Sequence, residues 1–149
     1  LNVKDIININ ELNNLKLKIG IQEGEISLDN SSIKWKDDLD IILKYGLLNH
    51  NNGDISLNGK IIVNVKDKDD FYSSFQIKKS LRKMIKEIQF DFIYSLEQKK
   101  IKFDNVKIDN KMNPDIDRFI NNYNANEIKF LNKIRFKNFV NNFFDIYAG

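Results

Sequence analysis

The sequence predicts an α+β fold that is mostly β: a curved antiparallel β-meander of about six to eight strands, followed by C-terminal amphipathic helices. Three observations predict it. Apolar residues fall on every second position through much of residues 15–108, as in strands with one buried face. Short polar or glycine-containing breaks, such as Glu23-Gly24 and Asn49–Asp54, separate these runs. After Asn110 the apolar period changes to that of a helix, and no Pro-, Gly- or Ser-rich linker marks a boundary. The 149 residues suit one domain, with a β-rich part over 1–110 and a helical part over 111–149. A body of this size buries about 70% of its unfolded surface, enough for a core.

The elements follow in order. Leu15, Leu17, Ile19 and Ile21 alternate with Lys16, Lys18, Gly20 and Gln22. Ile26 and Leu28, then Ile33 and Trp35, form two further runs, with Glu23-Gly24 and Asp29-Asn30 as expected corners. Ile41, Leu43 and Tyr45 share a parity that Ile42 breaks. The Asn52-Gly53 pair within Asn49–Asp54 predicts a hairpin connection. Ile55, Leu57, Ile61, Val63 and Val65 come next on one parity, with Gly59 as a bulge or bend. Asp67–Asp70 reads as a polar turn, after which Phe71, Phe75 and Ile77 lie on one face.

Residues 77–88 read in two ways. Ile77, Leu81, Met84, Ile85 and Ile88 fit a short amphipathic helix, while the cations between them fit a basic connection between strands. Strand parity resumes at Ile88, Phe90, Phe92, Tyr94 and Leu96, and Glu97–Lys100 makes a tight turn. Ile101 and Phe103 then alternate, and a phase slip at Asp104-Asn105 before Val106 and Ile108 predicts a bulge. Asn113 is placed as a helix N-cap, with Pro114 at the first helical position and Asp115 in the first turn. Ile116, Phe119, Ile120 and Tyr123 form one stripe. A second runs through Ile128, Leu131, Ile134, Phe136, Phe139, Val140, Phe143, Phe144 and Tyr147, in a helix expected over Glu127–Tyr147.

Composition narrows the chemistry. With 24 basic and 21 acidic residues the net charge is only +3, and an A/T-rich genome accounts for the Lys, Asn and Ile bias. The absence of cysteine removes disulfides, thiol catalysis and thiolate metal sites. A lone His50 gives poor support to a triad or a histidine metal site. Read as a calcium loop from Asp67, the sixth position is Tyr72 instead of Gly and the twelfth is Lys78 instead of Glu. The pairs Asp37-Asp38 and Asp69-Asp70 lie in turn-like stretches, where neighbouring side chains do not converge as catalytic carboxylates. No phosphate loop, nucleophile elbow or zinc-protease motif is present. No catalytic residue, metal ligand or cofactor is assigned. Asn30-Ser31-Ser32 matches a glycosylation acceptor, a weak signal.

No run approaches the ~20 apolar residues needed to cross a bilayer. The chain starts at Leu1 instead of Met, and the expectation is a piece of a longer precursor whose anchor lies outside it. The cations of residues 78–86 near Phe90, Phe92 and Tyr94 allow single-stranded nucleic-acid binding. Against it, these rings share parity with Ile88 and Leu96, and the chain is not strongly basic. A cationic strip also suits anionic headgroups, at ~1 kcal/mol per residue near such a surface, or is an ordinary solvated face.

The strand rhythm of residues 15–124, with phrases such as "EGEISLDNSSIKW" and "FDNVKID", resembles the C-terminal region of AsmA-like proteins, relatives of TamB and of repeating β-groove lipid-transfer proteins. The resemblance implies a bacterial envelope protein at the periplasmic face of the inner membrane. It also implies strands curled into a groove that carries phospholipid or influences outer-membrane assembly, without catalysis. Trp35, Phe71, Phe75, Phe90, Phe92 and Phe103 are then the candidate acyl-chain contacts, and Lys78, Lys79, Arg82, Lys83 and Lys86 the candidate headgroup contacts. Phospholipid and an anionic membrane surface are the expected partners; nucleic acid is disfavoured, and oligomeric state is left open. A groove leaves the apolar sheet face bare, whereas a closed α+β unit lays the C-terminal helices over it. An envelope scaffold that docks a partner without lipid is the alternative function.

Overall fold

The structure is a computed structural model that describes residues 12–51, 53–126 and 133–148. Among these, eight strands form one antiparallel sheet: β1 (Leu12–Lys16), β2 (Gly20–Gln22), β3 (Glu25–Ser27), β4 (Ser31–Trp35), β5 (Leu39–Asn51), β6 (Asp54–Val65), β7 (Glu87–Ser95) and β8 (Lys100–Ile108). Three α-helices accompany them: α1 (Lys68–Ser74) between β6 and β7, then α2 (Pro114–Ala125) and α3 (Lys133–Ala148). The mostly antiparallel α+β class expected from the sequence is the class observed. Ile128 and Leu131, placed by pattern in the last helix, lie outside the described residues.

The order β1-β4-β5-β6-β7-β8, with β2–β3 beside the far half of β5, is a meander whose first two members are each interrupted once. Glu23 and Gly24 have φ of 51° and 84° and close β2 onto β3 as a two-residue hairpin. Positive φ at both positions matches the right-handed twist of the flanking strands. Asp29-Asn30 is not a corner, which corrects the sequence expectation. Here β3 and β4 run in the same direction along β5, and the Asn30 amide donates to the Lys44 carbonyl at 3.3 Å. Opposite it, β5 carries an extra residue between Leu43 and Tyr45, so two irregularities at the same level fit each other. The buried Ser31 hydroxyl accepts from the Lys18 amide at 2.9 Å and so holds the break between β1 and β2. The bulge expected at Asp104-Asn105 is present, with Asn105 at φ 50° and the register slipping between Gln89 and Asp91.

The Asp67–Asp70 turn is the start of α1. The Asp67 carboxylate accepts from the Asp69 and Asp70 amides at 2.8 and 3.0 Å, and both acidic residues favour the positive end of the helix dipole. Phe71 and Phe75, four residues apart, therefore face the core from a helix and its C-cap. The amphipathic helix considered for residues 77–88 does not form beyond a 3₁₀ turn at Lys79–Leu81, and the segment is a connection. Like charges four apart, Lys78–Arg82, Lys79–Lys83 and Arg82–Lys86, oppose a helix here. Side chains bind its carbonyls instead: Tyr72 Oη donates to Lys83 O at 2.8 Å and Arg82 Nε to Ile77 O at 3.0 Å. Asn113 caps α2 as expected, accepting from the Asp115 and Ile116 amides.

Strand parity gives the sheet two unlike faces. Trp35, Leu39 and Val65, then Ile33, Ile41, Val63, Ile88 and Ile108, stand in cross-strand register on the apolar face. This end of the face packs against α1, α2 and α3, with Phe71, Tyr72, Ile116, Ile120, Phe143 and Phe144 buried in the same cluster. The other face carries polar and charged side chains, including the Lys60–Asp91 and Lys66–Asp40 pairs at 3.6 and 2.8 Å.

Candidate functional site

The apolar face continues past the helices. β6 pairs with β7 without slip, so Leu57 and Gly59 share the face of Val63 and Val65, and Phe92 and Tyr94 that of Ile88 and Phe90. Following the register outward from the core, Gly46, Gly59, Phe92 and Phe103 come first. At Gly59 a Cβ would run into the Tyr45 carbonyl oxygen, and would lie 3.1 Å from both Leu43 and Phe92. Those two side chains fill the space that the paired glycines leave.

Beyond them lies a row of six apolar residues in continuous register across six strands: Ile21, Ile26, Leu48, Leu57, Tyr94 and Ile101. At a strand spacing of about 4.8 Å this row is ~24 Å long. Ile21 is 76% exposed and Ile26 38%, while the other four are half-buried by their neighbours. Ile55 and Leu96 extend the same patch toward the hairpin tips and are 41% exposed each. Scattered surface apolar residues are ordinary, whereas these six are contiguous, which makes the row the candidate contact surface of the sheet.

The sequence-derived aromatic candidates lie mostly elsewhere. Trp35 stacks on Phe75 at 5.4 Å and sits 6.3 Å from Phe136. Phe71 meets Phe144 edge-on at 5.3 Å. Phe90 packs against Phe103, which stacks on Phe139 of α3. These five rings belong to the helix-covered core, and Phe92, also buried, forms the border with the open row. Five of the row residues were visible in the sequence as strand parity. Leu48 was not, because the extra residue between Leu43 and Tyr45 reverses the alternation of β5 and turns Tyr45, read with Ile41 and Leu43, to the other face. The exposure of the row was not visible either, because periodicity does not show where the helices end.

The basic segment lies at the covered end of the sheet, where the Val65 amide donates to the Lys86 carbonyl. Six residues of β7, ~20 Å, separate Ile88 at that end from Tyr94 in the row. Lys83 Nζ donates to Tyr147 O at 3.0 Å and lies 5.4 Å from the Tyr147 ring, placing a cation at the negative end of α3. Arg82 is tied to Ile77, whereas Lys78, Lys79 and Lys86 are exposed. The fold thus does not bring the predicted headgroup contacts next to the open row.

An open cleft of about 450 Å³ lies between the β4–β5 turn and α1, lined by Lys36, Asp37, Asp38, Asp70, Ser73 and Ser74. Burial, then repulsion by Asp70, pushes the Asp38 carboxyl above its ordinary value. Burial also raises the phenols of Tyr72 and Tyr123 to about 12, consistent with their packing in the core. Among the described residues, no cluster of His, Asp or Glu is arranged to hold a metal ion. Nor is any helix among them long and apolar enough to cross a membrane. Compared with family models, curated proteins and solved structures, the chain matches none.

Proposed function

We propose that the protein is a non-catalytic lipid-binding element of the bacterial envelope, acting in phospholipid transfer or outer-membrane assembly. The observation that carries this reading is the six-residue apolar row on the half of the face that the helices leave open. Its ~24 Å length exceeds the ~15 Å depth of one leaflet, half the hydrocarbon core, so a whole acyl chain fits along it. Association would be passive: methylene groups exchange bilayer for side-chain contacts with no covalent step. The resemblance to AsmA-like proteins supports the same reading and supplies its setting, the periplasmic face of the inner membrane with an anchor outside this chain. Lys78, Lys79 and Lys86, exposed but distant from the row, would meet an anionic membrane surface and not the headgroup of the same lipid.

Native mass spectrometry of the purified protein, and uptake of a fluorescent fatty acid from phosphatidylglycerol vesicles, test this. Co-purifying or transferred lipid is expected, and Leu57→Glu is expected to reduce uptake at least tenfold without unfolding the protein. A stably folded, lipid-free protein that takes up no probe would sink the reading.

A further inference from the structure

We infer that the β2 edge of the sheet is a self-association edge, on which a second copy of this chain adds antiparallel through Ile21. The two edges of the sheet are built differently. On β8 the outward amide and carbonyl of Phe103 are both taken by the Asn124 side chain, at 3.0 and 2.7 Å. The Asn105 amide goes to Asp104 Oδ1 and the Ile108 amide to Lys111 O, and Lys100, Lys102 and Lys107 line the strand. Bulges, lysines and side-chain caps are the usual means of blocking strand addition.

β2 has none of these. The two-residue Glu23-Gly24 loop makes Gln22 and Glu25 the hydrogen-bonded closing pair, so the next pair, Ile21–Ile26, is non-bonded across the hairpin. The Ile21 amide and carbonyl therefore point away from β3, toward the open edge. All three β2 residues are exposed, and no strand among the described residues pairs with that side. Ile19 and Ile21 are exposed at this edge, whereas the apolar residues of β8, Ile101 and Phe103 among them, are half-buried or buried.

The charge order selects the occupant and its direction. Lys16 and Lys18 precede Ile21, while Glu23 and Glu25 follow it. A second copy running antiparallel about Ile21 brings each Lys18 beside the acidic turn of the other, whereas a parallel copy opposes like charges. The arrangement is two-fold and self-complementary. It continues the apolar row from Ile21 of one copy to Ile21 of the next, joining two sheets edge to edge.

Sedimentation velocity over a concentration series, with hydrogen exchange on the same samples, tests this. A monomer–dimer equilibrium is expected, with Ile21 amide protection rising with concentration and the β8 edge unchanged. Ile21→Pro removes the one outward donor and leaves both β2–β3 bonded pairs intact, and Ile21→Lys places a charge on the edge. Both variants are expected to sediment as monomers with unchanged Trp35 fluorescence; if the proline variant misfolds, the lysine variant alone decides. A wild-type monomer at every concentration, or a dimer undiminished by Ile21→Lys, would overturn the inference.

Discussion

One apolar sheet face meets two fates in this molecule. At the Trp35 end it is sealed by three helices, with Trp35 7%, Leu39 3% and Phe144 1% exposed. At the other end the same face of β5, β6, β7 and β8 carries Leu48, Leu57, Tyr94 and Ile101, each only half-buried, and β2 and β3 add the exposed Ile21 and Ile26. β6 and β7 run unbroken through both ends, so the difference does not come from the strands themselves. It comes from the helices: among the described residues, α2 and α3 reach Phe103 through Tyr123 and Phe139. Hydrophobic alternation therefore records a face, and only the covering layer decides whether that face is core or contact surface.

The sharpest way to break this contrast is to truncate one large side chain at each end. Phe144 packs against Phe71, Tyr72 and Phe143 at 5.2–5.3 Å between ring centres. Phe144→Ala is expected to cost ~3–5 kcal/mol, the transfer loss plus a cavity that three fixed rings cannot fill. Ile21→Ala, at 76% exposure, is expected to change stability by less than about 0.5 kcal/mol. Guanidinium unfolding followed by fluorescence of the sole tryptophan, Trp35, reads both. Equal costs at the two ends would mean that the open row is covered in solution.

What the sequence made legible follows the same division. Parity located the strands, and the Asp104-Asn105 slip located a bulge, because each is a local property of the backbone. The Asn113-Pro114 start of α2 was equally local. Three features were not. Asp29-Asn30 looked like a corner, since nothing nearby in sequence shows that β5 carries a matching bulge at Lys44. The helix considered for residues 77–88 lost to like-charge pairs four residues apart and to tertiary bonds from Tyr72 and Arg82. Aromatic residues drew the lining prediction because they bury the most area. That same property makes them the first to be claimed by the core, leaving Ile21, Leu48 and Leu57 outside.

The border between the two halves offers the next largest effect. Gly59→Ala forces a methyl group against the Tyr45 carbonyl, the Leu43 side chain and the Phe92 ring. A loss of ~1–3 kcal/mol is expected, since one contact is backbone and cannot rotate away. A neutral result would show that the glycine pair is open enough to deepen the groove. At the protected edge, Asn124→Ala strips both bonds from Phe103 and is expected to cost ~1–2 kcal/mol. It also bares a second edge, so light scattering should show more association than wild type; unchanged association would put the edge protection in the lysines alone.

Alkaline titration sharpens the covered half without mutation. Tyr72 and Tyr123 hold their protons to about 12, against an ordinary value of 10.0, because burial penalises the phenolate. A raised native value means that their contribution to stability is complete below pH 10 and is lost as pH rises from 10 through 12. Phenolate absorbance should therefore show a late phase that moves to lower pH in denaturant. Its absence would place these rings in contact with water.

The smallest expected effect lies at the turn beyond the covered end. Asp38 titrates above its ordinary value of 3.8, chiefly through burial and then through Asp70, with Lys36 opposing. Because the native value is raised, stability is greatest with the proton on and is lost as pH rises through that value. At neutral pH the carboxylate is therefore a mild liability. Asp38→Asn is expected to raise the thermal midpoint slightly at pH 7, with the gain vanishing below pH 3, where both chains carry a neutral side chain. The backbone bond from the Lys66 amide to the Asp38 carbonyl, 2.8 Å, is unaffected by the change. A destabilised variant would instead show that the carboxylate holds the turn against α1, and that this end of the sheet is fastened by charge as well as by packed rings.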